Sequence, residues 1–67
     1  MTMRDMQPHG ELVDIECQVL IEKELSIRID DGTKKVWLPR SQIEIEPNGR
    51  TAIVTMPRWL AEEKGLV

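Results

Sequence analysis

From Val13 to Ile21 apolar and polar residues take turns along the chain. Val13, Ile15, Cys17, Val19 and Ile21 fall on one side, and Asp14, Glu16, Gln18 and Glu22 on the other, with Leu20 as the exception. Period two over this length predicts a half-buried strand. Glu22-Lys23-Glu24 interrupts the pattern and predicts a tight turn. Leu25, Ile27 and Ile29 then alternate with Ser26, Arg28 and Asp30, giving a second strand that Asp31-Gly32 closes. A glycine there supplies the positive φ of a hairpin turn.

Lys35-Val36-Trp37-Leu38 predicts a third strand, ended by Pro39, which cannot donate to a ladder. Arg40-Ser41-Gln42 suits one 3₁₀ turn. Ile43 to Glu46 alternates again, and Pro47-Asn48-Gly49 predicts a turn whose Asn-Gly pair favours type I′. The β-branched run Thr51 to Met56 makes a last strand. A helix follows over 57–64, with Pro57 at its first position and Gly65 just past its end.

These elements predict a mainly β fold: a small five-stranded SH3-like or OB-like barrel, or a curved meander, with a short C-terminal helix. Closure would remove exposed sheet edges. In the meander the helix packs on one face instead. The domain spans 11–67. Residues 1–10, MTMRDMQPHG, lack periodicity and read as a disordered tail.

Composition narrows the function classes. At 67 residues the chain holds one small domain, and a dimer or bound partner would help stabilise it. Its single cysteine excludes an internal disulfide and fits a reducing cytoplasm. One Cys and one His cannot form a structural zinc site. No apolar run approaches a membrane span, and the first ten residues lack the apolar stretch of a signal peptide. Twelve acids against nine bases, a net charge of −3, argue against a protein that wraps duplex DNA.

Two segments carry a resemblance as a pair: Val36-Trp37-Leu38-Pro39-Arg40-Ser41-Gln42-Ile43, and Pro57-Arg58-Trp59-Leu60-Ala61-Glu62-Glu63-Lys64-Gly65-Leu66. Across roughly residues 25 to 66 the chain resembles short bacterial and phage-type proteins of unknown function. Those carry a W-[LI]-P-[KR]-S-Q-[IV] strand end and a P-x-W-L-A-E-E-K-G-L tail. The resemblance implies a mobile-element setting, in which small proteins often act by binding host proteins, inhibitors of defence systems among them. It assigns no activity to any residue.

Candidate chemistry is sparse, and the residues point away from an enzyme. His9 lies in the tail, whereas a general base needs fixed geometry. Cys17 falls on the buried face of the first strand and reads as a packed, inert thiol. Ser41 has no nucleophile-elbow context and suits local hydrogen bonding. No glycine-rich phosphate loop or calcium-loop spacing occurs, so no cofactor or metal is implied.

What remains is surface. Trp37 and Trp59 are the two aromatic residues. If Val36 and Leu38 face the core, Trp37 faces outward. It would then be covered by the terminal helix, with Trp59 packed on it, or by a partner. In the second case Trp37, Arg40, Arg58 and Trp59 form the partner-binding face, since Trp and Arg are favoured anchors. Asp14, Glu16, Glu44 and Glu46 form a second, acidic docking face if their strands are neighbours; otherwise they are an ordinary solvated surface. The expected function is a non-enzymatic module that binds a protein, foreign or a copy of itself. The alternative is an OB-like single-strand nucleic-acid accessory using Lys34, Lys35 and Arg40 beside Trp37.

Overall fold

The computed structural model describes residues 11–67; the expected tail and His9 lie outside the described residues. Five strands form: β1 (Leu12–Glu22), β2 (Ser26–Asp30), β3 (Lys35–Pro39), β4 (Glu44–Asn48) and β5 (Thr51–Pro57). One helix, α1 (Arg58–Glu63), ends the fold. The expected 3₁₀ turn occupies Arg40–Gln42 between β3 and β4.

All neighbouring strands run antiparallel in one sheet of order β3-β2-β1-β5-β4. Long β1 joins two halves. Its first part pairs with β5, from Leu12↔Pro57 to Cys17↔Ala52. Its second part pairs with β2, from Gln18↔Asp30 to Glu22↔Ile27. The sheet does not close, so β3 and β4 remain its edges. The curved meander, rather than a sealed barrel, is therefore the arrangement this mainly β chain adopts.

Alternation selects the core. Cys17, Ile27, Ile29, Leu38, Val54 and Met56 turn inward from the strands, and Leu60 and Ala61 meet them from α1. Each fully buried aliphatic side chain stabilises the fold by roughly 1.5–3 kcal/mol relative to exposure. Among the described residues no polar or charged residue is buried.

Three local expectations are corrected. The first concerns Ile21, expected inward. Val19 pairs with Ile29 but Ile21 pairs with Arg28, so Leu20 is an extra residue in the ladder. This β-bulge shifts the side-chain phase and turns Ile21 outward, 41% exposed. The irregular Leu20 was the only sequence sign of it.

The second concerns the β4–β5 turn. Asn48 pairs with Thr51, so Gly49 and Arg50 are its central residues. Positive φ occurs at Gly49 (66°) and not at Arg50, the pattern of type II′ rather than type I′. Pro47 lies inside β4, where an edge strand tolerates its missing donor.

Third, Pro57, expected to open the helix, ends β5 and caps α1 with extended φ/ψ of −61°/144°, so the helix starts one place later, at Arg58. The helix ends at Glu63, one residue before the expected Lys64, which becomes its C-cap, while Gly65 takes its expected place just past the end. Gly65 takes a φ of 74°. Its amide donates to the Glu62 carbonyl (3.1 Å) and that of Leu66 to the Ala61 carbonyl (2.8 Å), a Schellman ending.

Candidate functional site

The sheet has an inner face that α1 helps to cover and an outer face with two chemically different halves. Cross-strand register defines each half.

On the β1–β2–β3 half, Ile21, Arg28 and Trp37 stand in one row, because Arg28 pairs with both of the others. Val36 packs against the core and Leu38 is fully buried, so Trp37 between them points outward. It is 37% exposed. Lys23, in the β1–β2 turn, places its Nζ 5.9 Å from the Trp37 ring centroid, within range of a cation–π contact. Arg40 holds that turn. Its Nε donates to the Lys23 carbonyl (2.6 Å) and its Nη2 to Glu22 Oε1 (3.1 Å). Leu20 and Leu25 are exposed as well.

Arg28 is the unusual member of the row. Its Nε is shut off from water and has no hydrogen-bond partner among the described residues. A desolvated donor without an acceptor costs about 1–3 kcal/mol, more when charged. Sequence alternation places Arg28 outward, but its alignment with Ile21 and Trp37 follows only from register. Arg28, Lys23 and Ile21 are thus surface residues that pattern reading did not single out.

The four residues expected to form one binding face separate. Trp37 and Arg40 share the Lys23 turn. Arg58 is anchored elsewhere: its Nε and Nη2 donate to the two Glu11 carboxylate oxygens at 2.8 and 3.1 Å. Glu11 immediately precedes β1 and Glu22 is the last of its eleven residues, so the two arginines are tied to opposite ends of a strand roughly 35 Å long at ~3.3 Å per residue. Trp59 packs against the core cluster. The expected helix cover over Trp37 does not form: α1 joins the inner face through Leu60 and Ala61, whereas Trp37 is on the outer one.

The condition set for the acidic face is not met, because β1 and β4 are not neighbours. β5 lies between them, giving the rows Asp14–Thr55–Glu44 and Glu16–Ile53–Glu46. The Thr55 hydroxyl donates to Asp14 (2.6 Å) and the Thr51 hydroxyl to Glu16 (3.1 Å). None of the four acids has an ion-pair partner among the described residues.

The basic stripe beside Trp37 is largely neutralised. Lys35 Nζ lies 3.9 Å from Asp30, and Arg40 pairs with Glu22. Lys34 reaches toward Gly65 at the end of α1, where the helix dipole favours a cation.

An open cleft of about 320 Å³ lies beside Cys17, Asp30, Asp31 and Thr51. Its acids already serve the fold. Asp31 accepts from the Thr33 and Lys34 amides, both at 2.8 Å, and these bonds hold its carboxyl below the usual range. Asp30 accepts from the Gly32 amide at 2.8 Å. Cys17 is buried, and that burial, with the charges of Asp31 and Glu16, pushes its thiol up, away from the reactive thiolate.

Among the described residues no helix is long and apolar enough to cross a membrane. Comparison of the chain with protein-family models, curated proteins and solved structures finds no match.

Proposed function

We propose that this protein is a non-enzymatic binding module that docks a protein partner on the outer β1–β2–β3 face. The observation that carries this is the row Ile21–Arg28–Trp37: an outward tryptophan and isoleucine flanking a half-buried arginine. Interfaces concentrate binding energy in Trp and Arg anchors bordered by apolar side chains. In the mobile-element setting implied by the W-L-P-R-S-Q-I and P-R-W-L-A-E-E-K-G-L segments, the partner would be a host or phage protein, such as a defence component, or another copy of this chain. Compared with the expected face, the docking surface keeps Trp37 and Arg40, gains Lys23 and Arg28, and leaves Arg58 and Trp59 to the fold.

The single-strand nucleic-acid alternative draws less support. Lys35 and Arg40 are paired with acids, and Lys23 occupies the Trp37 ring on which a base would stack.

The test is a tagged pull-down from nuclease-treated bacterial lysate using the wild type, Trp37→Ala, and Ile53→Ser on the other outer half. A stoichiometric protein retained by the wild type and Ile53→Ser, but lost with Trp37→Ala, supports this face. Retention by Trp37→Ala at full strength rejects it.

A further inference from the structure

β3 and β4 end the sheet, but their outer sides differ in what they offer a further strand. In an antiparallel ladder alternate residues turn their N–H and C=O toward the neighbouring strand, and the residues between turn theirs away. At one end of the β2–β3 ladder the Asp31 amide donates to the Lys34 carbonyl, and at the other the Arg40 amide donates to the Leu25 carbonyl. By that alternation Val36 and Leu38 face β2. Lys35 and Trp37 therefore aim both backbone groups away from the sheet, and the missing donor of Pro39 lies on the same side. Among the described residues no strand pairs with that side.

β4 is closed to the same use. Asn48 and Thr51 bracket a two-residue turn and bond to each other, so Ile45 and Pro47 face away from β5. Pro47 has no donor, and Ile43, next in that series, gives its amide to the Arg40 carbonyl. Of these three only Ile45 keeps both groups, and the exposed acids Glu44 and Glu46 stand on either side of it.

We infer that β3 pairs antiparallel with β3 of a second copy of this chain, across a two-fold axis at Val36. Lys35 and Trp37 both have open backbone groups, and about Val36 each meets the other's counterpart, so every one of these donors finds an acceptor. Residues directly opposite in such a ladder lie on the same side of the sheet. Trp37 is an outer-face residue, so two copies of β3 join outer face to outer face and core side to core side. Pairing with β4 of another copy would set Trp37 opposite Ile45, which packs against the core, and turn one sheet over relative to the other. On the core side half-buried Val36 stands opposite its own copy, where apolar side chains approach closely. On the outer side Lys35 stands opposite Trp37, a cation beside a ring. The two Lys35 side chains are diagonal neighbours, and each lies 3.9 Å from its own Asp30. A five-residue edge buries far less than the ~800 Å² per partner of a stable interface, so the dimer is reversible. Once the β3 edges are used only the blunted β4 edges remain, and association stops at two chains. The pairing does not rest on the Trp37 face being a docking surface: each chain keeps its Ile21–Arg28–Trp37 row on the outer side.

Sedimentation velocity of the full chain, up to millimolar concentration, should show a monomer–dimer equilibrium that grows no further. Backbone bonds rather than ion pairs hold the dimer, so it should persist in about 1 M salt, where charges are screened within roughly 3 Å. Cross-linking reads the register. Val36 and its copy form a non-hydrogen-bonded pair with Cα atoms about 4.5 Å apart, within the roughly 4.4–6.8 Å that a disulfide spans. With oxidised glutathione, Val36→Cys should become a covalent dimer. Ile45→Cys, the half-buried position on the other edge, should not, and nor should the wild type, whose one thiol is buried. Val36→Lys sets two cations face to face and should stay monomeric; if circular dichroism shows that it fails to fold, the Val36→Cys result stands in its place. A wild type that stays monomeric at millimolar concentration overturns the inference. So does a dimer that 1 M salt dissolves, one that Val36→Cys does not link, or one that Ile45→Cys links equally well. Trp37-dependent capture of a different protein would survive any of these failures, and Val36→Cys linkage would survive loss of that capture, so the two readings fail separately.

Discussion

Ile21 stands directly across from Arg28, although Val19, two residues earlier, stands across from Ile29. Two steps on β1 match one step on β2. That offset carries Ile21 from the buried face to the exposed one and completes the row that ends at Trp37. Without the extra residue, Leu20 would face Arg28 and Ile21 would face Ile27, inside the core.

The offset makes neighbouring isoleucines unequal. Ile21→Thr should change stability by no more than about 0.5 kcal/mol, as at an ordinary surface position. Ile29→Ala, at a site with no exposure, should cost about 2–5 kcal/mol. Urea unfolding of the two variants checks this. A large loss with Ile21→Thr would mean that the side chain is buried and the bulge misplaced.

Trp37 and Leu38 are adjacent but serve different ends. Leu38→Ala should cost about 2–5 kcal/mol because the side chain is wholly buried. Trp37→Ala should cost about 1 kcal/mol or less, chiefly the Lys23 contact and partial packing. Thermal melts followed by circular dichroism separate them, since 1 kcal/mol moves the midpoint by roughly 4–8 °C in a domain this small. A cooperative Trp37→Ala variant would let its binding defect be read as loss of the face.

Gly65 closes the helix in the left-handed region, where a Cβ costs roughly 1–2 kcal/mol. Gly65→Ala should therefore lower the melting midpoint by several degrees. The Lys34 ammonium lies 2.6 Å from where the new methyl would be, but a flexible side chain end can withdraw. Backbone strain is thus the main cost, and Lys34→Ala should not rescue the variant. Full rescue would instead assign the loss to that close contact.

Two carboxyls tie stability to acid pH. Arg58 holds Glu11 below its ordinary 4.5, and the Lys34 and Thr33 amides hold Asp31 below its ordinary 3.8. A depressed folded-state value favours the fold above the ordinary value and loses that contribution as pH falls through the folded one. Glu11→Gln and Asp31→Asn should each be less stable than the wild type at neutral pH. The gap should shrink below pH 4.5 for the first and 3.8 for the second. Denaturant midpoints across that range test it. A gap that stays constant into strong acid would show that charge is not the cause.

Much of this molecule is written in local pattern. Period-two alternation gives the strands, Gly32 and Gly65 adopt the positive φ their turn and cap require, and Val36 and Leu38 turn Trp37 outward. These follow from backbone sterics and from the two-sidedness of a strand, which any short segment carries within itself. Other features belong to no single segment. Leu20 becomes a bulge only against β2, and Arg28 joins Ile21 and Trp37 only through register. The insertion of β5 between β1 and β4 decides that Glu16 and Glu46 flank Ile53 instead of touching. Arg58 is drawn from the expected binding face because the chain returns to Glu11, 47 residues away, where a carboxylate meets the start of α1. Local alternation says which side of a strand a residue takes. Which residues share that side depends on strand order and register, fixed when distant segments bury one common core.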